Sequence, residues 1–98
     1  MGKVVFSIRY EVLEDKLEDY FDVIRELKNI IDAEELEDYK VYKVHGKKNQ
    51  FAELYTFASQ EAYDNFDDDP DERVDILMSK LSDLLKPGTS EYLTLKEI

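Results

Sequence analysis

The sequence predicts an α+β domain of the ferredoxin-like kind, in the order β-α-β-β-α-β, with a four-stranded antiparallel sheet and its helices on one face. Three observations carry that reading. The hydrophobic period alternates between two and about 3.6 residues along the chain in that order. Two aromatic and β-branched runs in the middle flank Gly46-Lys47-Lys48-Asn49-Gln50, which reads as a hairpin loop. No linker, internal repeat or low-complexity stretch interrupts the pattern, so residues 1–98 read as a single domain.

In the first run, residues 3–12 (KVVFSIRYEV), Val4, Phe6, Ile8, Tyr10 and Val12 share one face and Val5, Ser7, Arg9 and Glu11 the other, which predicts a strand. Over 14–32 the spacing changes to threes and fours. Leu17, Tyr20, Phe21, Ile24, Leu27 and Ile31 form the apolar stripe of an amphipathic helix, and the acidic stretch 33–38 reads as a further turn of it. Runs 39–45 and 51–58 are the strands of the hairpin. Ser59 then suits an N-cap, with Ala62 and Tyr63 inside a short helix. Val74, Leu77, Met78, Leu81, Leu84 and Leu85 make another helical stripe, stopped at Lys86-Pro87-Gly88. Residues 91–98 (EYLTLKEI) alternate as a closing strand.

Composition narrows the function classes. With 24 acidic and 13 basic side chains the net charge is −11, which opposes phosphate backbones and anionic membranes, so neither a nucleic acid nor a membrane is an expected partner. Cysteine is absent, which removes disulfides, thiolate metal sites and cysteine nucleophiles and is compatible with a cytoplasmic setting. No apolar run approaches the roughly 20 residues of a membrane helix, and the N-terminal segment has no signal-peptide pattern. A Gly-rich phosphate loop and a Ser-His-Asp set are likewise missing from the sequence.

The second face of the sheet poses its own question. In residues 51–58, Phe51, Glu53, Tyr55 and Phe57 lie on one face and Ala52, Leu54, Thr56 and Ala58 on the other, so both faces carry apolar area. Monomers seldom expose several hundred Å² of contiguous apolar surface, and a second copy related by two-fold symmetry is the economical cover, so a homodimer is expected.

The segment ELYTFASQEAYDNF, then an acidic break at Pro70, then DERVDILMSKLSDLL and a closing strand together resemble the antibiotic biosynthesis monooxygenase-like family over nearly the whole chain. The resemblance implies a dimeric α+β barrel whose inter-sheet cavity takes a small aromatic or quinone-like molecule. It also implies a cofactor-free monooxygenase-like reaction, in which the substrate supplies the electrons. Family members often carry Trp where Phe57 stands, and His where Phe66 and Asp71 stand. Haem-degrading members use an Asn, Trp and His set, whereas this chain has no Trp and no Asn in its first strand. The other reading is a non-catalytic ligand-binding or assembly module whose interior is filled by its own side chains.

Candidate site residues follow from the same faces. Glu53 sits mid-strand among aromatic residues. In an apolar cavity its pKa rises and it can move protons, whereas an ion pair with Arg9 or Lys43, or exposure, makes it structural. His45, the only histidine, is either a general base or an exposed strand-end residue. Arg9 and Ser7 share the mixed face of the first strand, where Arg9 can hold a carboxylate or phenolate oxygen or form a salt bridge. Tyr55 and Phe57 complete the ligand-binding set. The seven tyrosines suit either a cavity for a flat apolar molecule or aromatic packing.

FDDDPDERVD, residues 66–75, mimics a calcium loop because Asp67, Asp69 and Asp71 alternate. The match then fails: Glu72 stands where the loop needs glycine, and Met78 where it needs a bidentate acid. Asp69 as N-cap, Pro70 in the first helical position and acids at the positive end of the helix account for the stretch without a metal.

Overall fold

The computed structural model describes residues 2–31, 36–66 and 72–98. The elements are β1 (Val4–Glu11), a single 3₁₀ turn (Glu14–Lys16), α1 (Leu17–Ile30), β2 (Leu36–Lys43), β3 (Gln50–Phe57), α2 (Gln60–Asn65), α3 (Glu72–Leu84) and β4 (Glu91–Lys96). The strands form one four-stranded sheet in the order β2-β3-β1-β4, with every neighbouring pair antiparallel. This is the ferredoxin-like topology that the periodicity predicts.

Each element forms where its apolar residues can be buried together. Along β3 burial alternates without a break: Phe51, Glu53, Tyr55 and Phe57 are buried and the residues between them only partly so. On β1, Val4 and Tyr10 lie opposite Phe57 and Phe51, which puts them on that same face. The buried stripe of α1 is Tyr20, Val23, Ile24 and Leu27, at helical spacing, and that of α3 is Val74, Leu77 and Leu81. The two helices pack on each other above the sheet. Full burial of each such side chain is worth about 1.5–3 kcal/mol. The Ser59 hydroxyl accepts from the Ala62 amide at 3.1 Å, so α2 begins at the predicted cap.

One expectation is corrected. The acidic stretch does not continue the first helix through residue 38. At Ile31 the backbone turns extended, its amide still bonded to the Leu27 carbonyl, and Leu36–Asp38 already belong to β2. Pairing decides this: Leu36 lies opposite Phe57, and an irregularity between Leu36 and Asp38 adjusts the register. The capping positions proposed for Asp69 and Pro70, and the acids Asp67, Asp68 and Asp71, lie outside the described residues.

At one corner β1 and β4 approach closely. A Cβ placed on Gly2 would collide with the Glu97 carbonyl oxygen, so only glycine fits. Beside it the Glu97 amide bonds the Lys3 carbonyl at 2.8 Å, extending the β1–β4 ladder. Despite that pairing, all six residues of β4 are exposed. β4 is an edge strand, and Tyr63 of α2 reaches it at Thr94.

Candidate functional site

Glu53 is the only buried charged residue described, at 1% exposure. It is held there by strand parity. As an odd-numbered residue of β3 it shares the helix side with Phe51 and Tyr55, and its cross-strand neighbours are Ile8 on β1 and Val41 on β2. Burying a carboxyl in such surroundings is costly unless it is hydrogen-bonded. Tyrosines supply the partners: the Tyr39 hydroxyl donates to Oε1 at 2.7 Å, and the Tyr55 hydroxyl to the same oxygen at 3.3 Å. The Tyr10 hydroxyl also stabilises the charged form, and it is linked to the Tyr20 hydroxyl at 2.9 Å. Among the described residues, no buried side-chain nitrogen or oxygen lacks a hydrogen-bond partner.

Two opposing effects set the protonation of this group. Burial raises the Glu53 pKa, hydrogen bonds from Tyr39, Tyr10 and Tyr55 lower it, and burial wins, leaving it above the ordinary carboxylate range. The same burial, reinforced by the nearby carboxylate, pushes Tyr10, Tyr39 and Tyr55 far above the usual phenol value. Tyr20 is also raised, by burial first, although its bond to Tyr10 works the other way. These hydroxyls therefore stay protonated at neutral pH and act as donors.

An aromatic path leads outward from this cluster. The Tyr55 ring lies 4.9 Å from Tyr39, 5.9 Å from Phe6 and 6.5 Å from Phe66. Phe6 in turn stacks on Tyr92 at 6.3 Å with 18° between the planes, and Tyr92 is 67% exposed. Beside them the Tyr63 and Thr94 hydroxyls lie 3.3 Å apart. Phe6, Tyr92, Thr94, Tyr63 and Phe66 thus form an aromatic and hydroxyl-bearing approach on the helix side of β1 and β4, with Tyr55 and Glu53 at its inner end. Among the described residues, no group of three or more His, Asp or Glu side chains could hold a metal ion.

The predicted site residues divide between the two faces. Glu53, Tyr55 and Phe57 come together on the helix side, so they do not line a space between two sheets, as the expected inter-sheet cavity required. Ser7 and Arg9 have the opposite parity and point to the open face, where Arg9 pairs with Glu91 at 2.8 Å. Neither Arg9 nor Lys43 forms the expected ion pair with Glu53; the Tyr39 and Tyr55 hydroxyls bond it instead. His45 is exposed in the hairpin loop, four residues beyond Val41, which puts it roughly 13 Å along the strand from Glu53. Phe6 and the bond from Tyr39 to Glu53 carry no signal of their own in the sequence, whereas Tyr92 falls among the tyrosines that the sequence offers as cavity-lining. Counting back from the predicted loop would place Tyr39 opposite Phe57, two residues from Tyr55, the partner it has.

Fold and site together define a class: a ferredoxin-like α+β domain with a tyrosine-bound carboxyl beneath an aromatic approach. Solved structures that share this fold resemble this chain along its whole length. A protein of Nitrosomonas europaea proposed to be an antibiotic biosynthesis monooxygenase matches with a TM-score of 0.79 at 10% identity, covering 100% of this chain and 93% of the other. A conserved protein of Methanosarcina mazei matches at 0.78 and 16% identity, covering 100% and 95%. A variant of SnoaB, a cofactor-independent oxygenase of Streptomyces nogalater, matches at 0.74 and 15% identity, covering 99% and 94%. At these identities the likeness is one of fold. No protein-family model and no curated protein matches the sequence. Among the described residues, no helix is long and apolar enough to cross a membrane.

Proposed function

We propose that this protein is a cofactor-free, monooxygenase-like enzyme that takes a small aromatic or quinone-like molecule at the Glu53 cluster. The observation that carries the reading is Glu53 itself. A single buried carboxyl, raised in pKa and reached through aromatic side chains, is the pattern of a tuned proton acceptor. In such a reaction an electron-rich ring CH₂ becomes C=O, one oxygen atom of O₂ entering the ring and the other leaving as water. The substrate supplies all the electrons. Glu53, when ionised, accepts the proton that leaves the ring carbon, and the tyrosine hydroxyls hold the resulting oxygen-centred charge. The fold shared with a cofactor-independent oxygenase supports the reading, and the cysteine-free sequence supports a cytoplasmic setting.

A thermal-shift screen with quinones and phenols, followed by oxygen uptake with the ligands found, tests it. Binding should raise the melting temperature, and Glu53→Gln should abolish oxygen uptake while leaving that shift in place. Uptake that survives the substitution overturns the role of Glu53.

A second reading has its own observation. The tyrosines satisfy Glu53 without a ligand, and the hollows of about 310 and 350 Å³ between α1 and α3 do not include it. On that reading the cluster is structural and the protein is a non-catalytic binding or assembly module, for which no quinone or phenol shifts the melting temperature.

We also infer a homodimer built on the open face, where Leu93 and Leu95 are 55% and 47% exposed beside the partly buried Val5 and Leu54. Sedimentation should show twice the chain mass at micromolar concentration, and a stable monomer would sink the idea.

A further inference from the structure

We propose that the site admits its ligand only in the neutral form and rejects the corresponding phenolate or carboxylate. This rests on the reading of the Glu53 cluster as a ligand site and adds the charge state that the site selects. It is carried by the placement of charged groups around the cluster.

The groups that face Glu53 are hydroxyls: Tyr10 from β1, Tyr39 from β2, Tyr55 from β3, and Tyr20 from α1 through Tyr10. Along the approach the described side chains are Phe6, Ile8, Tyr63, Phe66, Tyr92 and Thr94, with Met78 of α3 packed behind them. None is cationic. The cations of the surrounding elements stand elsewhere. Lys96 is on that side of β4, two residues beyond Thr94 and opposite Val4 at the outer rim, and it is exposed. Lys43 lies opposite Phe51 near the hairpin and is also exposed. Lys28 lines a surface hollow beside Tyr39, and Arg73 and Lys80 line the seam between α1 and α3. Arg9, the one arginine of β1, is on the other face and bonded to Glu91.

An anionic ligand at the inner end of this approach would therefore meet a carboxyl and, among the described side chains, no cation. If Glu53 is ionised, the two charges repel across a poorly screened interior. If it is protonated, the anion has only hydroxyl donors in place of water. In both cases the neutral ligand is preferred. A neutral phenol or hydroxyquinone, by contrast, can donate to Glu53 and accept from Tyr55. Deprotonation then takes place inside the site, with the proton passing from the ligand oxygen or carbon to Glu53, and no charged species has to enter. The net charge of −11 acts in the same direction at longer range.

The test compares one probe in its two charge states. Affinity for 4-nitrophenol is measured by equilibrium dialysis at two pH values, well below and well above the probe's own pKa, with 1,4-naphthoquinone as a non-ionising control. The expected result is a fall in nitrophenol affinity of about tenfold or more on crossing that pKa, with naphthoquinone binding unchanged. Equal or tighter binding of the phenolate overturns the inference alone. So does naphthoquinone binding with no nitrophenol binding at the lower pH. If neither probe binds at either pH, the ligand-site reading fails and this inference goes with it. Lys96→Gln should leave the discrimination unchanged, and a steeper loss of phenolate binding in that variant would show that the lysine assists anions after all.

Discussion

Glu53 and Leu54 are neighbours on β3, and each faces the wrong way by the usual rule. The carboxyl is directed into the core, while the leucine is directed to the open face with Ser7, Arg9, Leu93 and Leu95. Elsewhere on the strand the pattern is regular, with Phe51, Tyr55 and Phe57 inside. Polar-in and apolar-out positions are where a fold departs from its own consistency, and such departures cluster at functional surfaces. Here there are two, one on each side of the sheet. The helix side has a buried polar group that needs a chemical reason, and the open side has apolar area that needs a cover.

The most forceful way to break that comparison is to truncate equivalent side chains on the two faces. Phe57→Ala, in the buried layer, should cost about 3–5 kcal/mol in urea unfolding, whereas Leu93→Ala should cost under about 1 kcal/mol as measured on the monomer. Comparable losses would mean that the open face is already a core.

Glu53→Ala comes next. It strands the Tyr39 and Tyr55 hydroxyls and should destabilise by about 1–3 kcal/mol, while Glu53→Gln, which keeps an acceptor, should cost less. On the opposite face, Leu54→Glu should leave the fold intact and shift sedimentation toward the single chain.

The pH profile separates the same group from an exposed one. Glu53 has a raised pKa in the folded state, so its contribution to stability is whole below the unfolded carboxylate pKa and is lost as pH rises through the folded value. Glu14, lowered by its hydrogen bond and charge interaction with Lys48, behaves oppositely: its contribution is present above the unfolded pKa and is lost as pH falls through the folded value. Melting temperatures taken across pH should therefore show a decline above the unfolded carboxylate pKa that Glu53→Gln removes. A decline that persists in the variant assigns it to another group. The smallest effect expected is that of Arg9→Ala. It breaks an exposed pair with Glu91 and should change stability by at most about 1 kcal/mol.

The sheet and its order were legible because the periods of the chain are clean. Val4 to Val12 alternates over nine residues, and the helical stripes from Tyr20 and Val74 hold threes and fours throughout. Phe21, placed in the helical stripe, is 49% exposed, and the junction after Ile31 departs as well. Its acids suit a helix as well as a strand, and what decides between them is the non-local pairing of Leu36 with Phe57. Of the site, the importance of Glu53 was legible from one carboxylate standing among aromatic residues. Its side of the sheet was not, since period-two counting gives two faces without saying which one the helices cover. Ser7 and Arg9 were grouped with it on chemistry alone, and parity separates them.

Tyr39 reaches across from β2 to a carboxylate on β3, and that bond has a consequence for how the hairpin finds its alignment. A slip by one residue is already opposed, because it would turn Phe51, Tyr55 and Phe57 outward. A slip by two keeps every face correct, and the apolar pattern alone barely distinguishes it from the native pairing. Such a slip would carry the Tyr39 hydroxyl roughly 6.5 Å along the strand and leave Glu53 buried without its shortest bond. The Tyr39–Glu53 hydrogen bond thus discriminates between alignments that hydrophobicity treats as equal. It gives the hairpin a single register even where the irregularity between Leu36 and Asp38 leaves the strand some slack.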